Sequence, residues 1–420
     1  MTVADAGDER PRPGLRAQIA ATVGLLDRPL TSYYLILGCS MLLLALGLTM
    51  VLSASAVNQL TATGSPYALF QKQAMWVALG LPMMAVCAML PPRAFRVLAF
   101  PILLLSVLAL VLVLVPGLGQ TANGATRWIS FGGGIQLQPS EPAKLGLVLW
   151  GADLLARKEK LKALTDWRQL LIPLMPGAGI VVMLVMLGND LGTTLVVLTI
   201  FLSLLWVVGA PGRLLLGMSG VIGILVGILI IVEPYRVARL TGFLDPQGDP
   251  LNTNYQGLQG ITAVASGGVF GVGLGEGRAK RGYLPHVDTD FIFANVGEEL
   301  GLIGTILVLS LFGLLAYAGL RIARRVRDPF MRLAAAGATA WIVVQAIVNI
   351  GAVIRVLPIT GIPLPLVSYG GSALIPTLIL LGMMLSFAKR EPGARQALAE
   401  RGPGPVSRAL SWLGLGPHRH

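Results

Sequence analysis

Apolar runs of about 17 to 25 residues recur from one end of the chain to the other, each long enough as a helix to cross a hydrocarbon layer roughly 30 Å thick. Ten such spans can be placed, at 34–54, 74–90, 97–115, 140–155, 170–187, 191–208, 214–232, 298–320, 333–355 and 373–388. The pattern therefore predicts an all-α polytopic membrane protein with about ten transmembrane helices in one domain over 31–390. It breaks most between 233 and 297, where the turn signals Asp245-Pro246, Gly248-Asp249-Pro250 and Gly267-Gly268 lie in a segment too long for a passive connector. This is expected to be a functional outer loop between the seventh and eighth spans, with 116–139 and 357–371 as two shorter ones. The arms 1–30 and 391–420, rich in Pro, Gly and Arg, read as disordered cytoplasmic segments.

Composition agrees: of 420 residues 55% are hydrophobic and only 12% charged, at a mean hydropathy of +0.75, where soluble domains are roughly 25% charged. A single soluble core is excluded. The net charge of +12 would suit a nucleic-acid partner, but the cations fall between the apolar runs. With the N-terminus inside, 23 of the 32 Lys and Arg lie in cytoplasmic segments, so both termini are expected in the cytoplasm. Topology leaves nine unexplained on or near the outer face: Lys72, Arg127, Lys144, Arg236, Arg239, Arg278, Lys280, Arg281 and Arg355. Cys39 and Cys87 lie inside apolar runs and imply neither a disulfide nor a metal site. No cleavable signal peptide is expected, since the first run follows a polar arm and lacks a small-residue cleavage site.

Candidate chemistry gathers in the outer segments. Asp288, Asp290, Glu298 and Glu299 stand at the mouth of the eighth span, where carboxylates are costly unless paired or wet. They cap the next helix or serve a site; Phe291-Ile292-Phe293 behind Asp290 favours the site. In an extended loop Asp288 and Asp290, two apart, would point the same way. Arg127-Trp128 reads as an interfacial anchor or a site cation. Gln138-Pro139-Ser140-Glu141 reads as a helix start, with Lys144 one turn inside, where it needs either Glu141 or an anionic ligand. Asp190 interrupts a nearly continuous apolar stretch and reads as a hairpin N-cap or a site carboxylate. The glycine run Gly271 to Gly277 reads as a flexible turn, with Arg278, Lys280 and Arg281 behind it as an anion patch. Pro358 to Ser372 is irregular backbone at membrane depth, tolerated only where protein buries it or it lines a cavity.

The ordered set Val51-Leu52-Ser53-Ala54-Ser55, Arg127-Trp128, Gln138-Pro139-Ser140-Glu141 with Lys144, Asp190-Leu191-Gly192-Thr193, Tyr255-Gln256, Gly267-Gly268, Thr289-Asp290-Phe291, Gly297-Glu298-Glu299 and Ser368-Tyr369-Gly370-Gly371 resembles the SEDS family (shape, elongation, division, sporulation) over about 31–390. Its division branch is nearest in wording and its elongation branch second. The resemblance implies a peptidoglycan glycosyltransferase that joins lipid II into β-1,4 glycan strands during division and releases undecaprenyl diphosphate. It implies Asp290 as the catalytic residue and carries the motif cations over to Arg127 and Lys144; Asp290 is then expected to act as general base, and Arg127 and Lys144, with Lys280 and Arg281 of the anion patch, to hold the diphosphate. Glu141, Asp190, Tyr255, Gln256, Asp288, Glu298, Glu299 and Ser368 are expected to support them. A class B penicillin-binding protein and other division membrane proteins are the expected partners, and nucleic acid is not. No ligand cluster in the sequence demands a metal; a divalent cation, Mg or Mn, could share the diphosphate. Three positions depart from the family pattern: Asp288 where His is usual, Asn189 where Pro is common, and Arg355 where Gly is typical. Ten spans around a charged site also fit a lipid II flippase, and basic arms fit a division scaffold; these remain the alternatives.

Overall fold

A computed structural model describes residues 28–122, 125–130, 136–161, 167–245 and 254–400. The N-terminal arm to residue 27, the turn signals Gly248-Asp249-Pro250 and the tail beyond residue 400 lie outside the described residues. All ten expected spans form: α1 Thr31–Thr63, α2 Ala68–Met89, α3 Pro92–Leu114, α4 Ser140–Lys160, α5 Trp167–Leu187, α6 Leu191–Val207, α7 Gly212–Val232, α10 Ile292–Arg325, α11 Pro329–Val353 and α12 Gly371–Ala388. Eight are long and apolar enough to cross a membrane on composition alone. The other two are explained by what they carry or how long they are: α4 holds Glu141, Lys144 and Asp153 on buried positions, and α6 is 17 residues.

Burial is uneven, and this decides where a site can lie. α11 and α12 are largely enclosed, whereas α7 has no buried residue. Small residues set the closest approaches. A Cβ on Gly47 of α1 would stand 2.6 Å from the Leu366 carbonyl oxygen, and one on Gly382 of α12 would stand 2.4 Å from that of Met84 in α2. A side chain at Gly47 would push α1 away from the irregular segment before α12, and one at Gly382 would push α12 away from α2.

Charged side chains tie one end of the bundle. Arg321 of α10 donates to the Arg28 carbonyl (3.0 Å) and Ser32 Oγ (3.1 Å), ahead of and at the start of α1, and lies 3.8 Å from Glu391 beyond α12. Arg96 meets Asp328 at 2.9 Å, and Arg332 meets Glu159 at 2.7 Å. The long connections lie at the opposite end.

Those connections hold more structure than the apolar pattern reveals. Segment 116–139 contains a small antiparallel sheet of β1 Gly119–Ala122, β2 Ala125–Ser130 and β3 Gln136–Leu137. Gly119 pairs with Ile129 and Gln120 with Trp128, then the register shifts so that Thr121 pairs with Thr126. The Thr126 N–H donates to Gly188 O at 3.1 Å, which fixes β2 against the α5–α6 hairpin. Segment 233–297 contains the amphipathic helices α8 Pro234–Leu244 and α9 Tyr255–Ser266 and a 3-10 turn Ala279–Arg281.

The run Gly271 to Gly277, expected as a flexible turn, is instead built into α10. That helix breaks at Gly301, which takes φ 66°, ψ −157°, and the loop satisfies the backbone groups the break frees. Val272 and Gly273 donate to the Glu298 and Glu299 carbonyls at 3.0 and 3.2 Å, and Leu302 donates to that of Gly268 at 2.9 Å.

Candidate active site

A cavity of about 580 Å³ opens at the end of the bundle opposite Arg28 and Glu391, with Asp290, Arg127, Arg239, Gln256 and His286 in its lining. Asp290 sits just ahead of α10 in a tight turn, where the His286 carbonyl accepts from both Thr289 N (3.2 Å) and Phe291 N (3.1 Å). His286 takes φ 57° to allow this. The premise of an extended loop therefore fails. Asp290 lines the cavity, while Asp288 does not, and the Asp288 carbonyl accepts from Tyr369 N at 3.0 Å.

The irregular segment from Pro358 to Gly370, which ends where α12 begins, clamps this turn. Ser368 Oγ donates to the Thr289 carbonyl at 2.6 Å and accepts from Leu364 N at 2.8 Å. Asn349 of α11 donates to the carbonyls of Asp290 (2.8 Å) and Ile362 (2.7 Å), joining both loops at the cavity carboxylate. Gly361, at φ 74°, lies between anion and cation: a Cβ there would be 3.6 Å from Asp290 Oδ2 and 3.9 Å from Arg127 Nη1.

Arg127 is presented by β2 and held by Asp190, with Nη1 3.8 Å from Oδ1. Asp190 is also the N-cap of α6, accepting from Thr193 N (3.0 Å) and Thr193 Oγ1 (2.8 Å), and it accepts from Gln138 Nε2 at 3.1 Å. The N-cap reading of Asp190 holds, and the same buried carboxylate also contacts two cavity side chains, Arg127 and Gln138. Asn189 beside it takes φ 61°, which proline cannot adopt and Asn tolerates, so this hairpin differs locally from a Pro-bearing one. Arg239 of α8 stacks on Tyr235, 4.5 Å from the ring centroid, and donates to the Ile359 carbonyl at 3.0 Å. Gln256 donates to Pro285 O at 3.2 Å.

Burial raises the Asp290 pKa above the usual carboxylate range. The charges of His286, Arg127 and Arg239 pull it back and that of Asp288 pushes it up. Asp288 is likewise raised by burial, against its own backbone hydrogen bond and His286. Burial lowers the pKa of Arg239, with Tyr235 and Asp290 opposing.

Seven other expected site residues, Glu141, Lys144, Tyr255, Lys280, Arg281, Glu298 and Glu299, stand outside the cavity lining. Lys144 is wholly buried in α4, bonded to Glu141 Oε1 (2.8 Å) and Gln345 Oε1 (3.0 Å) and 4.8 Å from the Trp341 ring centroid. Its charge is spent inside the bundle, as the Glu141 alternative requires. Lys280 bonds Glu299 Oε1 and Ser53 Oγ, each at 3.0 Å, and is buried. Arg281 is exposed and does not line the cavity. The expected anion patch thus loses its central member, because the helix break brings a carboxylate to Lys280. Glu298 accepts from Arg278 N (2.7 Å) and Ala279 N (3.1 Å), so Glu298 and Glu299 brace the glycine loop. Tyr255 opens α9 and does not reach the cavity lining. Sequence reasoning missed Arg239, which was among the nine unexplained outer cations; the signal was Tyr235 four residues before it, one turn along a strongly amphipathic stretch. Arg355, at φ 58°, donates to Gly242 O at 3.1 Å and ties α8 to the loop after α11.

Comparison with known proteins bears on what this arrangement is. The FtsW/RodA/SpoVE family model, described as cell cycle protein, matches residues 33–392. A relative in Mycobacterium tuberculosis (strain ATCC 25618 / H37Rv), named probable peptidoglycan glycosyltransferase FtsW, is 43% identical over 403 residues, covering 96% of this chain and 76% of the relative. Stage V sporulation protein E of Bacillus subtilis (strain 168) is 36% identical over 357 residues, covering 83% and 95%. Among solved structures, a chain from work on the structural coordination of polymerization and crosslinking by a peptidoglycan synthase complex superposes with a TM-score of 0.67 at 32% identity, over 84% of this chain and 96% of that one. The rod shape determining protein RodA of Thermus thermophilus gives 0.59 at 28%, over 85% and 97%.

Proposed function

The chain belongs to the FtsW/RodA/SpoVE family of cell cycle proteins, and from that premise we propose that it is a peptidoglycan glycosyltransferase of cell division, polymerising lipid II at the cavity around Asp290. The observation that carries the proposal is a single partly buried carboxylate and two guanidiniums, Arg127 and Arg239, lining one cavity. A sugar linked through a diphosphate has a good leaving group once its charge is held, so one base suffices.

Asp290 takes the proton of the acceptor 4-hydroxyl as that oxygen bonds to the donor C1. The bond from C1 to the phosphate oxygen breaks with its electron pair, and polyprenyl diphosphate departs. The anomeric centre inverts from the α-linked donor to the β-linked product. Arg127 and Arg239 face the charge that grows on the diphosphate, which preorganised cations stabilise best. A raised pKa suits Asp290 to its role, because a base works best when its pKa approaches the operating pH.

The cavity offers a metal one carboxylate and one imidazole, and among the described residues no group of three or more His, Cys, Asp or Glu is placed to hold an ion. Asp290 is the residue that would hold a Mg or Mn ion there, since magnesium-type ions keep their waters and bind through few carboxylates. Such an ion would add positive charge beside the arginines; the proton transfer remains with Asp290.

The positive-inside distribution supports cytoplasmic termini and a cavity on the outer face of the cell membrane. The crosslinking named for the structural neighbour supports a transpeptidase partner of the class B penicillin-binding type. Reconstituting the full chain with that partner and lipid II tests the proposal. Glycan ladders on a gel are expected; lipid II crossing the bilayer without polymer would replace it with a flippase, and neither would replace it with a scaffold.

A further inference from the structure

The loop that grips the Asp290 turn is itself held by one face of α11. Trp341, Gln345 and Asn349 are spaced four apart, so they stand one above another on successive turns. Asn349 donates to the Ile362 carbonyl at 2.7 Å, and one turn earlier the buried Gln345 donates from Nε2 to that of Pro363 at 3.0 Å. Two consecutive carbonyls of the irregular segment are thus held by two consecutive turns of one helix. Next along the loop, Leu364 N donates to Ser368 Oγ, and that hydroxyl donates to the carbonyl of Thr289, the residue before Asp290.

An amide can be turned either way, and its neighbours decide which. Gln345 Oε1 accepts from Trp341 Nε1 at 2.7 Å and from Lys144 Nζ at 3.0 Å. An indole N–H and an ammonium can only donate. A reversed amide would set its NH2 against both of them and its oxygen against the Pro363 carbonyl, so every bond it makes would become a repulsion. Lys144 is wholly buried, and a hydrogen bond from a charged donor is stronger than a neutral one. The ammonium therefore aims the Gln345 NH2 at the loop.

We propose that Gln345 is a positioning residue for the transfer: oriented by Lys144, its amide fixes the Pro363 carbonyl and, through Leu364 and Ser368, the turn that presents Asp290. The motif lysine then reaches the chemistry through one side chain and one loop, without touching the diphosphate. This rests on the glycosyltransferase reading. The same loop brings Gly361 between Asp290 Oδ2 and Arg127 Nη1, so slack at Pro363 loosens base and cation together. Misplacing reacting groups by about 1 Å can cost on the order of 10²-fold in rate.

The test is lipid II polymerisation by the full chain reconstituted with the transpeptidase partner proposed above, measuring kcat, KM and thermal unfolding of each variant. Gln345→Glu keeps the shape and both acceptor contacts, the ammonium holding it ionised, and loses the donor to Pro363. It should unfold at the wild-type temperature, with kcat about tenfold lower at unchanged KM. Gln345→Met loses all its bonds and should unfold earlier, yet with the same loss of kcat. Lys144→Met combined with Glu141→Met should recover folded protein and still leave kcat low, although Gln345 is intact. Any of these variants that folds and turns over at the wild-type kcat overturns the proposal. So do losses of kcat that track the unfolding temperature, which would make Gln345 merely structural, and a raised KM at unchanged kcat, which would make it a binding residue. Should one variant fail to fold, the others decide. Absence of polymer from the wild type counts against the enzyme, whereas wild-type polymer with any overturning result counts against the positioning role alone.

Discussion

Asp290 lies between opposing influences, burial that favours its neutral form and its neighbours His286, Arg127 and Arg239, which favour its charged one. Because burial dominates, the acidic limb of the polymerisation rate should lie above that of an ordinary aspartate. The sign of each perturbation follows. Arg239→Gln removes a positive neighbour, raises the pKa further and should move the limb to higher pH; Asp288→His removes a negative one and should move it to lower pH. A pH–rate profile of each variant reads this directly, and an unmoved limb in both would detach Asp290 from the proton transfer. The cations separate in the same way. Arg127→Met or Arg239→Met should cost about 2.7 to 4 kcal/mol of transition-state stabilisation, by analogy with loss of one oxyanion donor, with folded protein retained. Lys144→Met should instead lose folded protein, because it strands Glu141 inside the bundle at about 3 to 5 kcal/mol. Thermal unfolding in detergent distinguishes them, and adding Glu141→Met should recover much of the loss.

At the scale of elements, the break in α10 is the device that places the site. Gly301 opens the helix, the loop from Gly267 to Gly277 fills the opening, and Ile292–Leu300 is left as a short segment with Asp290 just ahead of it. Gly271 takes φ 80°, and a Cβ there would stand 2.1 Å from the Glu299 carbonyl oxygen. Gly271→Ala should therefore abolish both folded yield and activity, whereas Gly268→Ala, at φ 56° but in open space, should cost only the roughly 1 to 2 kcal/mol of a left-handed alanine; folded yield by size-exclusion chromatography checks both. The sequence made the spans plain because twenty-residue apolar runs have few other fates. It made Asp290, Arg127 and Asp190 visible because charge next to a membrane is conspicuous. It hid α8, α9 and the small sheet, whose apolar positions are too few and too short to stand out. It also misplaced Lys144 and Lys280: a lone lysine at the edge of a span looks the same whether its partner is a substrate or a carboxylate, and Gln345 and Ser53, which share those cations, are about 200 residues away in the chain.

For the whole molecule, the enclosed pair α11 and α12 and the unenclosed α7 divide the labour. α11 supplies Asn349 to both loops at the cavity carboxylate, α12 begins at the cavity rim with Gly371, where a Cβ would overlap the Trp76 ring, and α7 has no buried residue. A rigid catalytic end and an open lipid side are what a polymerase drawing its substrate from the bilayer requires. The central claim is that one carboxylate performs the proton transfer, and Asp290→Asn tests it most directly, since an amide keeps the shape and cannot take the proton. Reconstituted with lipid II and the transpeptidase partner proposed above, the variant should assemble normally yet lengthen glycan at least about 10²-fold more slowly than wild type. Ladders of wild-type length and rate from that variant would contradict the account.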